Sequence, residues 1–222
     1  MKTGSTAVTV ALGTLLQRHD EAFLKCTLWP CGEYATELCL QRKPKIHLID
    51  HIAMGVDTTH CLRRMGFYSV TSIRDPAERW NSAYKYNRWK KGNDYGISHN
   101  ATYDDFMMKM PNCALLRYYD LGSSTCRGGT DDPEFQKRVQ NIVTRFDEII
   151  DLYGEAVTDL HKRLMPFLAQ ENVSEKKSVG NVPRDRMVYE QVLYEALVMR
   201  RFELAANPDP KRRLCKEPRV PK

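Results

Sequence analysis

Lys2, Thr3, Gly4, Ser5 and Thr6 follow one another near the start of the chain and have the make-up of an anion cradle. A glycine allows close backbone approach, two kinds of side chain offer hydroxyls, and a lysine supplies charge. The residues that follow have helical spacing, so the run delivers backbone N–H groups to the positive end of a helix dipole. A phosphate-like group suits such a place. The same run also reads as an ordinary helix cap. It is not a Walker A loop, because that motif needs its lysine after the glycines and here the lysine comes first.

A second cluster begins with Arg74-Asp75-Pro76 and continues through Arg79 to Ser82, Tyr84 and Tyr86. An arginine leaving a strand, with a serine eight residues later on the next helix, can meet one phosphate from two sides. Arg74 would give a charge-assisted contact and Ser82 a hydroxyl. The alternative for Arg74 is a strand-end salt bridge to Asp75 or Glu78.

Elements must hold these groups. Residues 7–19 carry Val8, Leu12, Leu15 and Leu16 at helical spacing. Residues 45–50 alternate like a short strand, and the β-branched and aromatic run 67–73 is the clearest strand of the chain. Asp75-Pro76 breaks it, and residues 77–86 return to helical spacing. Further on, 103–110, 133–145, 156–168 and 188–204 read as helices and 148–152 as an apolar strand. Residues 93–99, 123–132 and 174–186 read as loops, and 23–34 resist assignment. The last helix places Val192, Leu193, Ala196, Leu197 and Phe202 on or near one face. Strands alternating with helices predict an α/β fold, a parallel sheet flanked by helices in a single domain over residues 1–222.

Bulk properties agree with one globular domain. The 222 residues are 42% hydrophobic and 28% charged. A formal charge of +6 suits an anionic ligand without naming it. The basic residues are scattered, which speaks against a nucleic-acid partner. The one dense cluster, Lys211, Arg212, Arg213 and Lys216, falls in residues 205–222, read as a flexible basic tail. Seven cysteines show no paired spacing of the kind that holds zinc. Two N-x-S/T sequons, at Asn100 and Asn172, fit a secretory-pathway chain, in which some cysteines could pair. No stretch approaches the apolar length of a membrane span.

The two motifs together resemble the phosphosulfate-binding signatures of Golgi carbohydrate sulfotransferases, closest to the galactose-3-O-sulfotransferase and 2-O-sulfotransferase groups. Residues 146–153 and the helix after them are similar to a late strand and helix of the galactose group. The resemblance implies a P-loop-like parallel sheet and transfer of a sulfuryl group from 3′-phosphoadenosine 5′-phosphosulfate to a glycan hydroxyl, with no metal. Lys2, Thr3, Gly4, Ser5 and Thr6 would hold the 5′-phosphosulfate, Lys2 also balancing charge on the leaving phosphate. Arg74 and Ser82 would hold the 3′-phosphate. A basic loop with Lys176, Lys177, Asn181 and Arg184 is matched by location to the loop that closes over the nucleotide. His51, at the end of the 45–50 strand, is similar in place to the histidine of the galactose group and becomes the candidate base, ahead of His47 and His60. Related families use a glutamate, which keeps Glu33 and Glu37 in view.

The family's first strand precedes its phosphosulfate loop, and a stem and membrane anchor precede that strand. Met1 stands directly before Lys2, so the expectation is a domain lacking that strand, with an anchor only in a longer form. Two other functions compete with sulfuryl transfer: a non-catalytic homologue that keeps the anion site, and a P-loop nucleotide kinase. Acceptor choice would lie in loops around Trp29 and Trp89, where Trp89 and Tyr95 either stack on sugar rings or cover the core.

Overall fold

The computed structural model describes residues 5–17, 23–27, 46–50, 68–89, 94–120, 122–171 and 180–207. Helix α1 (Ser5–Gln17) opens it and buries Val8, Ala11, Leu12 and Leu15, the i, i+3, i+4, i+7 stripe of one helical face. Strand β1 (Phe23–Thr27) then pairs in parallel with β2 (Ile46–Asp50), with Phe23 opposite Ile46 and Thr27 opposite Asp50. β1 lies in the segment whose cysteine and proline content had resisted assignment.

Strand β3 (Val70–Ile73) pairs in parallel with β4 (Glu148–Asp151), running from Val70 opposite Glu148 to Ile73 opposite Asp151. Each pair forms its own two-stranded sheet. The protein is therefore mixed α/β and mostly helical, with two short parallel strand pairs among the described residues. β3 is shorter than expected. Ser69 turns its N–H and its hydroxyl to the Asp147 carboxylate at 2.9 and 2.8 Å, and the Tyr68 hydroxyl goes to Glu148, so these side chains form a polar clasp before the ladder starts.

Helix α2 (Pro76–Trp89) starts where it should. Asp75 accepts the Glu78 N–H at 3.0 Å and Pro76 fills the first helical position, where its missing N–H costs nothing. Helices α3 (Tyr103–Lys109), α4 (Ala114–Asp120) and α5 (Pro133–Val143) follow, then α6 (Asp159–Glu171) after β4, and α7 (Val188–Ala206). Helix α6 begins three residues later than its apolar spacing suggested, because the Thr158 hydroxyl accepts the His161 N–H at 3.2 Å and caps the helix. Helix α7 runs through Ala205 and Ala206, two residues into the segment expected to be a tail.

The alternation of β4 places helices on both of its faces. Ile149 joins a buried cluster with Leu116 of α4, Val139 and Ile142 of α5, and Leu193 and Leu197 of α7. Ile150, its neighbour, joins the opposite cluster with Leu12 of α1 and Leu160 and Leu164 of α6. Both faces of the β3–β4 pair are thus covered, the usual condition of parallel strands. A third cluster joins α2 to α3 through Trp80, Tyr84, Phe106 and Met110.

The buried face of α7 differs from its apolar reading. Phe202 is exposed, whereas Glu190 and Arg201 lie in the buried stripe with Tyr189, Leu193 and Leu197. Glu190 accepts from the Arg79 guanidinium of α2, from Trp80 Nε1 at 2.7 Å, and from the Leu115 N–H at the start of α4 at 3.0 Å. One carboxylate therefore ties three helices together, and each of its contacts is a hydrogen bond from a buried donor. Cys113, just before α4, and Cys126, in the connection after it, form a disulfide that loops around α4, with Cα atoms 5.6 Å apart.

Candidate anion site at the C-terminal ends of β3 and β4

Ile73 and Asp151 end their strands side by side, so the residues after them share one edge. Open parallel sheets bind ligands at that edge. Arg74 follows β3 directly. Its Nε–H donates to Glu78 Oε2 at 3.3 Å, one helical turn on, and its guanidinium carbon lies 4.7 Å from the centre of the Tyr153 ring. The side chain is 15% exposed. Its two NH2 groups have no hydrogen-bond partner among the described residues. The salt bridge to Glu78 is thus formed, and it occupies only one of the five N–H donors of the fork.

What holds Tyr153 is a buried polar group below it. Asp151 Oδ1 accepts the N–H groups of Tyr153 and Gly154 at 3.2 and 3.1 Å. Asp151 Oδ2 faces Arg201 Nη1 of α7 at 3.3 Å and the Tyr194 hydroxyl at 3.4 Å. A Cβ on Gly154 would stand 2.4 Å from Asp151 Oδ2 and 2.9 Å from Arg201 Nη1, so the turn closes tightly over the ion pair only with glycine. Burial, then the charges of Asp151 and Asp75, push the Tyr194 hydroxyl up to about 12. It stays a donor at neutral pH. His161 of α6 is fully buried beside this group; burial first, then the Arg201 charge, lower its pKa, so the ring is held neutral.

The other residues singled out from the sequence are placed unevenly. Ser82 is partly buried midway along α2, two turns beyond Arg74, and no hydrogen bond joins the two. Ser5 and Thr6 form the first turn of α1, where backbone N–H groups lack intrahelical partners. Lys2, Thr3, Gly4, His51, Lys176 and Lys177 lie outside the described residues, as do Glu33, Glu37, His47's side chain and His60. β2 does end at Asp50, directly before His51.

Arg184 is exposed in a short turn (Arg184–Arg186) that docks on the end of α3. Arg186 donates to the carbonyl oxygens of Met108 and Met110, the latter at 3.0 Å, at the C-terminal end of α3. Gly180 lies against the Tyr103 ring, whose hydroxyl donates to Asn81 Oδ1 at 2.8 Å, one residue before Ser82. The loop bearing Arg184 thus meets α3 at Tyr103, and Tyr103 in turn bonds to α2 beside Ser82.

The chain matches no known protein family, no curated protein and no solved structure.

Of the aromatics considered for sugar contact, Trp89 is 71% exposed at the end of α2, with the Tyr86 ring 6.0 Å away. Tyr95 instead packs against the α2–α3 cluster, and its φ of 59° is the left-handed value that side chains seldom adopt. Sequence reasoning gave no role to Asp151, Tyr194, Arg201 or Glu190. Asp151 at the end of an apolar strand and Tyr153 just past it were the available signal; Glu190, Tyr194 and Arg201 of α7 carried none, because their positions look like exposed turns of an amphipathic helix.

Proposed function

We propose that this chain binds 3′-phosphoadenosine 5′-phosphosulfate on a P-loop-like α/β scaffold and transfers the sulfuryl group to a glycan hydroxyl. The observation that carries the reading is Arg74: a cation at the C-terminal mouth of a parallel strand pair, backed by Tyr153, with two NH2 groups that have no hydrogen-bond partner among the described residues. A phosphomonoester is the ligand that such a fork fits best. Helices on both faces of β3–β4 favour the same scaffold.

In this reading Arg74 and Ser82 take the 3′-phosphate, and the turn with Arg184 closes over the nucleotide. Lys2, Thr3, Gly4, Ser5 and Thr6 take the 5′-phosphosulfate at the head of α1. The acceptor oxygen attacks sulfur, the bond from sulfur to the bridging phosphate oxygen breaks, and His51 removes the acceptor proton as the new bond forms. Lys2 steadies the charge that grows on the leaving phosphate. Exposed Trp89 is the contact offered to the acceptor sugar. A Golgi lumen setting, with a membrane anchor in a longer form, follows from the same reading.

A second reading is a binding protein without turnover. The Arg74–Glu78 pair favours it, since a carboxylate already engages the candidate phosphate ligand. Titration calorimetry with adenosine 3′,5′-bisphosphate, followed by transfer of labelled sulfate to a glycan array, separates the two. Absence of nucleotide binding rejects both. Binding without transfer to any glycan leaves the second alone.

A further inference from the structure

We infer that Asn100 is a site of N-linked glycosylation. The sequon Asn100-Ala101-Thr102 occurs in a turn that precedes α3, and both Asn100 and Thr102 are exposed. The turn is held from within. Its backbone is closed by the Ala101 N–H to the Ser98 carbonyl at 3.0 Å and the Asn100 N–H to the Ser98 hydroxyl at 3.2 Å. Ile97 is buried, and the Asn87 amide of α2 donates to the Ile97 and Ser98 carbonyls at 3.1 and 3.3 Å. The Asn100 side-chain amide has no hydrogen-bond partner among the described residues. A sugar chain on its nitrogen would leave the surface without displacing any core group.

Thr102 meets the second need of the motif. Its hydroxyl caps α3, accepting the Asp105 N–H at 3.2 Å and donating to Asp105 at 2.8 Å. These bonds are exposed, so they open without disturbing the core and free the hydroxyl for recognition. A separate observation places the chain where the reaction occurs. The Cys113–Cys126 disulfide belongs to an oxidising compartment, and the secretory lumen that favours disulfides also holds the glycosyl donor.

The donor class is an oligosaccharide linked through pyrophosphate to a polyprenyl lipid. A bond forms between the Asn100 amide nitrogen and the sugar C1, the C1–O bond to pyrophosphate breaks, and the lipid pyrophosphate leaves. The amide proton passes to a base of the transferring enzyme. No electron transfer is involved. Sulfuryl transfer is not a premise, so failure of either idea leaves the other standing.

The test is peptide mapping of the protein isolated from the cells that make it, after release by peptide-N-glycosidase in heavy-oxygen water. Tryptic cleavage yields the peptide of residues 92–109. Conversion of Asn100 to oxygen-labelled Asp supports the site. Recovery of that peptide only in its unmodified form overturns it. In secretory-cell expression, Asn100→Gln and Thr102→Ala should each remove one glycosidase-sensitive mobility step, and Thr102→Ser should retain it. A step that survives Asn100→Gln unchanged also overturns the assignment.

Discussion

The Arg74 guanidinium sits over the Tyr153 ring, its central carbon 4.7 Å from the ring centre, while Glu78 holds its Nε–H at 3.3 Å. Ring and carboxylate together limit the rotamers of a long side chain, which lowers the entropy lost when an anion is bound. Tyr153→Leu should weaken adenosine 3′,5′-bisphosphate binding about 5-fold, the scale of a partly exposed cation–π contact. Tyr153→Phe should bind normally. Calorimetry of both variants beside Arg74→Ala, which should lose a few kcal/mol, checks the arrangement.

His51→Ala should leave nucleotide affinity unchanged and lower sulfate transfer about 100-fold or more. Retained turnover at wild-type nucleotide affinity would assign the proton to another group.

The Glu190 staple makes a stability prediction. Glu190→Ala removes the carboxylate that receives the buried Arg79 charge and leaves the Trp80 and Leu115 donors without that acceptor. The expected loss is about 3–5 kcal/mol in denaturant unfolding. Arg79→Ala should cost a similar amount. A double variant much milder than the sum would confirm the coupling, and strict additivity would refute it.

His161 sets a dependence on acidity. Its folded pKa is lowered from 6.5, so the unfolded chain takes up the proton first. Its contribution is complete above 6.5 and declines as pH falls through that value toward the lower folded one. Asp151 opposes the shift, and burial and Arg201 outweigh it. Glu148 acts with the reverse sign: burial raises its pKa from 4.5, so its share of stability declines as pH rises through the raised value. In thermal melts between about pH 7.5 and about pH 5, the wild-type midpoint should lose more with acid than that of His161→Gln, and the same pH response in both would remove the His161 contribution.

Gly154→Ala should disturb the candidate site without touching a ligand. The added methyl meets the Asp151–Arg201 pair, so the turn must shift and carry Tyr153 with it. Weaker nucleotide binding with little loss of secondary structure by circular dichroism is the expected result.

Local signals were readable wherever the stabilising group stood nearby in sequence. Asp75-Pro76 marks the end of β3 and the cap of α2, and Asp132 caps α5 by accepting the Glu134 and Phe135 N–H groups at 3.0 Å. Helix α4 had no such mark. Its first turn is capped by Glu190, 75 residues away, and four of its seven residues are buried, so neither a local cap nor a polar face announced it. The same distance hid the anchoring of the site. Arg74 and Ser82 are legible as a strand-end cation and a helix hydroxyl, but the ring beneath Arg74 comes from the turn after β4, and its support comes from α7. Which cysteines pair was equally hidden, because a spacing of 13 is fixed by the Asn112 clamp on Cys126, at 2.9 and 3.1 Å, rather than by any motif.

The partners in the Arg79–Glu190 bond stand 111 residues apart, with the earlier one on the helix that leads away from Arg74. On the ribosome, α2 leaves the exit tunnel long before the carboxylate that receives its guanidinium has been translated. Until then the helix must wait without the carboxylate that receives the Arg79 guanidinium and the Trp80 indole N–H, a half-satisfied state of the kind that incomplete domains pass through. A nascent chain arrested before α7 should therefore stay protease-sensitive at α2, and release of the last helix should be the event that completes the domain.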